Sequence, residues 1–141
     1  MSEQFDRELP ADGFTELLGI EHLDPGDADA RVRVEVSGKI RQPFGIVHGG
    51  AYSLLAETIS SGTTAEAVFP DGNVALGHSN SATFLRPISE GHVTATGRVI
   101  HRGRSSWVWD IECADDDGRL AAVVRCVVAV RPMRSSPETG S

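Results

Sequence analysis

The run ARVRVEV at residues 30–36 sets small or apolar side chains against charged ones at every second position, the pattern of a strand with one wet face. Residues 49–68 carry a different period. There Ala51, Leu54, Leu55, Thr58, Ile59 and Gly62 recur at i, i+3, i+4, i+7 and i+8 spacing, which predicts one long amphipathic helix. Four further strands are predicted at residues 74–85, 92–101, 106–114 and 120–130. They are divided by Arg86-Pro87 to Gly91, by Arg102-Gly103-Arg104 and by Asp115-Asp116-Asp117-Gly118, which supply the Gly, Pro and Asp that tight connections favour. Short connections between consecutive strands predict an antiparallel meander. Near the start, Phe14, Leu17 and Leu18 follow Asp12, a candidate N-cap, and predict a short helix ended by Gly19. One helix with a broad apolar face, followed by a long meander, is best satisfied by a curved sheet wrapped around that helix, an α+β class.

Length and composition narrow the function. A chain of 141 residues with 40% hydrophobic and 23% charged residues has the size and balance of one globular domain. Its expected span is residues 11–132, between a flexible N-terminus at 1–10 and a flexible tail at 133–141 rich in Ser, Pro and Gly. The longest apolar stretch, around residues 121–130, is interrupted by Arg125 and falls short of the roughly 20 residues a membrane span needs. Residues 1–10 lack the apolar core of a secretory signal, so a cytoplasmic location is expected. A formal net charge of −7 argues against binding nucleic acid, which relies on Lys and Arg displacing counterions. Lys39 is the only lysine. Cys113 and Cys126 sit in strand-like runs without a CxxC spacing and read as reduced, buried thiols. His22, His78, His92 and His101 are scattered and form no HxH or HExxH arrangement, so no metal site and no cofactor are expected.

The chemistry concentrates in residues 41–61, RQPFGIVHGGAYSLLAETISS, a loop that runs into the long helix. Gly49 and Gly50 at the helix start would expose main-chain N–H groups that have no intrahelical partner, in the positive field of the helix dipole, where a developing oxyanion is stabilised. Glu57 lies on the helix flank with Ser53 and Ser61 one turn to either side and Ser60 adjacent. Two readings stay open on spacing alone. Glu57 is a base among hydroxyls, or it is a solvated helical glutamate, the commoner case, with serines as small spacers. Gly49 and Glu57 are eight residues apart, about 12 Å along a helix axis. An oxyanion donor and an attacking group must both lie within about 3 Å of one carbonyl. If both act, one chain cannot supply both to one substrate, and the site must be shared across a two-fold interface. Arg86, Arg102 and Arg104 at turns are candidate phosphate ligands, or solvated turn residues.

The run Gln42-Pro-Phe-Gly-Ile-Val-His48-Gly49-Gly50-Ala, continuing to Leu55-Ala56-Glu57, resembles hotdog-fold acyl-CoA thioesterases of the 4-hydroxybenzoyl-CoA and phenylacetate-degradation branch. The likeness extends through Gly77-His78-Ser79-Asn80, Phe84-Leu85-Arg86-Pro87, Trp107-Val108-Trp109-Asp110 and Ala129-Val130-Arg131-Pro132. It implies that Glu57 is the catalytic carboxylate and that the Gly49 N–H forms the oxyanion hole. By the same likeness Gln42 positions the thioester or the attacking water, Ser61 assists that water, and His48 lies near the thioester. Coenzyme A phosphates would fall to Arg86 and to the turn of Arg104 and Ser105, with Arg102 strengthening or replacing that contact. The resemblance also implies a homodimer with shared sites, assembled as a dimer of dimers, hydrolysing an aroyl- or phenylacetyl-type CoA to free acid and coenzyme A. Two other readings compete with it: an acyl-thioester dehydratase or hydratase on the same fold, pairing His48 with Glu57, and a non-catalytic acyl-CoA-binding module. Phe44, Tyr52, Phe84 and Trp107 are candidates for an aryl pocket.

Overall fold

The computed structural model describes residues 13–134. The long helix forms as the periodicity predicts, over Gly49–Val68 (α2), after a short helix Phe14–Leu18 (α1). Six strands follow the chain as Glu21–His22 (β1), Ala30–Glu35 (β2), Asn73–Phe84 (β3), His92–Arg102 (β4), Ser106–Ala114 (β5) and Leu120–Pro132 (β6). A 3-10 turn, Phe69–Asp71, closes α2 against Gly72, whose φ of 78° suits a residue without a Cβ. All strand pairs are antiparallel, in the order β1-β2-β4-β5-β6-β3.

That order corrects the predicted meander, which holds only for β4–β5–β6. β3 does not pair with β4. It pairs along its length with β6, from Asn73↔Pro132 to Phe84↔Ala122, and forms one edge of the sheet. The segment Arg86 to Gly91 is therefore a crossover between distant strands rather than a tight turn. Leu85 N–H and Arg86 N–H donate to Ala121 O, Ile88 O accepts from Val47 N–H, and Gly91 O accepts from Val36 N–H, so the crossover ties β6, the loop before α2 and the end of β2 together. β3 also carries a bulge: the register slips between Gly77 and Ser79, leaving His78 outside the ladder.

The face that α2 buries is rotated from the predicted stripe. Tyr52, Leu55, Ala56, Ile59, Ser60, Thr64 and Val68 are buried, whereas Gly62 is exposed and Ala51, Leu54 and Thr58 are only half-buried. Ser60 and Thr64 carry no apolar signal, yet both are fully enclosed. Thr64 is there for Trp109, whose Nε1–H donates to its Oγ1 at 2.9 Å, satisfying both polar groups inside the core. Gly97 on β4 makes room for this contact: a Cβ there would lie 3.1 Å from the Trp109 ring and 3.0 Å from Ile59 Cδ1. Val32, Val34, Val93, Ala95, Ile111, Val124 and Val128 supply the sheet side of the core. α1 differs from expectation in its role. Its N-cap is Gly13 with no side-chain bond, Asp12 lies outside the described residues, and Phe14 and Leu17 stay exposed. Residues 1–12 and 135–141, which include nearly all of both expected termini, also lie outside the described residues. Met133, placed with the tail by its sequence, donates its N–H to Gly72 O.

Both cysteines are buried and free. Burial, reinforced by Cys126, pushes the Cys113 thiol up from 9.0 to about 12. Burial, with Cys113 nearby, raises Tyr52 from 10.0 to about 12. Both folded values are raised, so their contribution to stability is complete below the unfolded pKa values and is lost as pH rises toward 12. Thermal unfolding followed by circular dichroism is expected to hold its midpoint up to pH 9 and to lose it progressively above. A thiol reagent at pH 8 is expected to find no reactive group in native protein and two after denaturation.

Candidate functional site

The loop before α2 is a narrow turn closed by backbone bonds. Arg41 bridges to Val47, Gln42 N–H donates to Ile46 O, and Gly45 N–H donates to Gln42 O, with Gly45 at φ 86°. The Gln42 side chain is oriented by its own loop, because its Oε1 accepts from Phe44 N–H and its Nε2 is left to donate elsewhere. Phe44 itself projects into solvent, 91% exposed.

His48 is the N-cap of α2. Its Nδ1 accepts from Gly50 N–H at 2.8 Å, and its backbone oxygen accepts from Ala51 N–H. The ring nitrogen used for capping is therefore an acceptor, which leaves the proton on Nε2, facing away from the cap. These two bonds satisfy the second and third N–H groups of the helix. The first, on Gly49, finds no acceptor among the described residues. It points an unpaired donor from the positive end of a 20-residue helix. Gly49 also admits the Phe84 ring, since a Cβ there would lie 2.7 Å from Phe84 Cζ. Gln42, Ile46, Gly49, Tyr52, Phe84 and Arg86 line one cleft. The Tyr52 and Phe84 rings lie 5.9 Å apart within it.

Two turns farther along α2, Glu57 is half-buried and held in one orientation. Ser61 Oγ–H donates to its Oε1 at 2.6 Å, a short bond of the kind a charged acceptor makes. Ser60 is buried against the helix and donates weakly to Glu57 O at 3.5 Å. The carboxylate faces β3 at Gly77. Nearby, Asn80 Nδ2–H donates to Ser53 O at 2.9 Å, tying the strand to the helix one turn before Glu57.

The site residues predicted from sequence thus fall into three groups. Gln42, His48, Gly49 and Arg86 surround the helix start. Glu57 and Ser61 lie farther along the same helix. Arg102, Arg104 and Ser105 are at the opposite end of the sheet: β6 runs from Ala122, beside Phe84, to Val130, whose N–H donates to Ser105 O, about 26 Å of strand. Arg102 is already engaged. It pairs with Asp29 at 3.2 Å and lies 4.5 Å over the Trp107 ring, which places Trp107 outside the aromatic cleft. Arg131 holds the same turn through Ser105 O. Among the described residues no cluster of His, Cys, Asp and Glu is arranged to hold a metal, and no helix is long and apolar enough to cross a membrane.

This geometry has relatives. Residues 44–122 match the family described as the thioesterase superfamily. The chain belongs to the thioesterase superfamily. It is 38% identical over 122 residues to a 1,4-dihydroxy-2-naphthoyl-CoA hydrolase of Listeria monocytogenes, covering 86% of this chain and 98% of the relative. It is 36% identical over 117 residues to the proofreading thioesterase EntH of Cronobacter turicensis, covering 83% and 85%. Among solved structures, a mutant of thioesterase PA1618 from Pseudomonas aeruginosa superimposes with a TM-score of 0.83 at 34% identity, covering 86% and 88%. The helix and curled six-stranded sheet are those of a hotdog fold, and the protein is a thioester hydrolase.

Proposed function

We propose that this thioesterase hydrolyses an aromatic acyl-CoA, in a homodimer whose two sites each draw on both chains. The observation that carries the reading is the Glu57 carboxylate, fixed by Ser61 and separated along α2 from the unpaired Gly49 N–H by a distance no single thioester carbonyl can bridge. The free edge of β3 offers the joining surface, because an antiparallel copy of the same strand would extend the sheet and bring the Glu57 of one chain toward the Gly49 of the other. The same two-fold moves the partner's β4–β5 turn toward the cleft, where Arg86 and Arg104, with Ser105, would share the coenzyme A phosphates. Two such dimers make the tetramer, and no cofactor takes part.

In this reading Gly49 N–H and the Gln42 amide polarise the thioester oxygen, and the Nε2–H of His48 borders it. Glu57 accepts a proton from water as the water oxygen bonds to the carbonyl carbon. The tetrahedral intermediate then expels the coenzyme A thiolate, which takes up a proton, and the C–S bond breaks. Ser61 holds Oε1, leaving Oε2 to receive the proton. The Tyr52 and Phe84 rings favour an aryl group, as does the substrate named for the Listeria relative.

The test is thiol release from a panel of aroyl-, arylacetyl- and straight-chain acyl-CoAs. The expected result is turnover on all classes, with kcat/KM up to about tenfold higher for aryl groups, the contribution of one well-placed aromatic contact. Equal values across the panel would remove the aromatic preference. Loss of the starting thioester without free thiol would indicate a hydratase instead.

A further inference from the structure

Gly77 shows no backbone reason to be glycine. It lies inside β3, paired with Val128, and is not among the glycines with positive φ. In a strand interior glycine costs stability, since it adds conformational freedom to the unfolded chain and contributes no side chain to pack. Its neighbour across the sheet-to-helix gap supplies the reason. A Cβ built on Gly77 would overlap Glu57 Oε1 and lie 2.7 Å from Cδ and 2.9 Å from Oε2, so every atom of the carboxyl group stands where that methyl would be.

Two further observations define what this space does. The Ser61 hydroxyl approaches the same Oε1 from the next helical turn, so the carboxyl is bounded by a donor on one side and by bare strand backbone on the other. The bulge at His78 comes immediately after Gly77, and Asn80 beyond it is anchored to Ser53 O. The strand is therefore pinned to α2 close by and cannot simply retreat from a larger residue. We propose that Gly77 is a positioning residue for the hydrolysis: its missing side chain is the seat of the Glu57 carboxylate and sets the rotamer in which Ser61 can hold it. The inference rests on the assignment of Glu57 as the catalytic carboxylate.

The experiment uses the full-length protein in six forms, wild type, Gly77→Ala, Glu57→Asp, Glu57→Ala, Gly77→Ala with Glu57→Asp, and Gly77→Ala with Glu57→Ala, assayed on the best acyl-CoA found in the panel. Gly77→Ala is expected to lower kcat by about a hundredfold with KM changed less than threefold, the effect of moving a reacting group by roughly 1 Å. Aspartate is one methylene shorter and withdraws from the strand, so adding Gly77→Ala to Glu57→Asp is expected to cost no more than about twofold, well below the product of the single effects. Any drop in melting temperature caused by Gly77→Ala is expected to return when Glu57 is also replaced by Ala. Wild-type kcat in Gly77→Ala would overturn the proposal, as would multiplicative effects with aspartate, or a loss of folding that removal of Glu57 does not repair. Wild-type turnover in Glu57→Ala would instead overturn the catalytic assignment itself, so the two failures are distinct.

Discussion

Replacing Glu57 by Ala is expected to lower kcat by about a thousandfold, within the range removed with a general base, while KM changes little. The substitution leaves the core intact, because Glu57 and its bonding partner Ser61 are both only half-buried. A normal melting temperature should therefore accompany the lost turnover. The arrangement along α2 adds a sharper expectation. Gln42 stands with Gly49 at the helix start, and Glu57 lies two turns away, so in a shared site the two side chains acting on one substrate come from different chains. Glu57→Ala and Gln42→Ala homodimers should each be nearly inactive. Unfolded together and refolded, half of the resulting dimers carry one chain of each kind, and each of those has one intact site, so activity should return to about a quarter of wild type. Mixing that restores nothing would place both groups in one chain's site and remove the shared geometry.

Replacing Trp109 by Ala is expected to destabilise the protein by about 3–5 kcal/mol, the usual cost of deleting a large aromatic ring from a packed core. Trp109 is fully buried at the centre of the sheet, touching the space that Gly97 leaves and donating to Thr64 on α2. Its loss opens a cavity and also strips the Thr64 hydroxyl of its partner. Trp109→Phe keeps a six-membered ring but loses the hydrogen bond and part of the buried ring volume, so a smaller loss of about 1–3 kcal/mol is expected. Urea titration followed by circular dichroism measures both, with the midpoint moving and the slope constant. A change of under 1 kcal/mol in Trp109→Ala would mean that α2 and the sheet are held together elsewhere.

Local order was legible in the sequence where the signal is local. β5 alternates cleanly, with Trp107, Trp109, Ile111 and Cys113 facing in, and its limits coincide with the prediction. The length of α2 followed from periodicity, but its buried face did not. The deciding inward residues, Ser60 and Thr64, are polar and owe their burial to partners such as Trp109, 45 residues away. The pairing of β3 with β6 was hidden for a related reason: both strands show the same pattern whichever neighbour they take, and only the core around α2 selects the far edge. The two-residue β1 is too short to leave a signal. Within the site, the helix start and the i, i+4 relation of Glu57 to Ser61 could be read directly. The engagement of Arg102 by Asp29, 73 residues upstream, could not, nor could the contact between Glu57 and Gly77.

The bulge at His78 carries a consequence for how the chain can change. A strand presents every second residue to one side, yet Gly77 meets Glu57 and Asn80 meets Ser53, three positions apart and on the same side of β3. The extra residue shifts the phase of the strand midway. With His78 looped out, Ala75 and Gly77 before it and Asn80, Ala82 and Phe84 after it all turn toward the helix. Deleting His78 would only close the bulge, leaving Gly77 and Asn80 two positions apart on one side, whereas drawing His78 into the ladder would turn Ser81 and Thr83 inward and carry Phe84 off Gly49. The two ends of α2, one holding the carboxylate and the other the free N–H, thus meet the same face of β3 because His78 stays out of the pairing. At this point in the chain the ladder tolerates the loss of a residue better than its inclusion in the pairing.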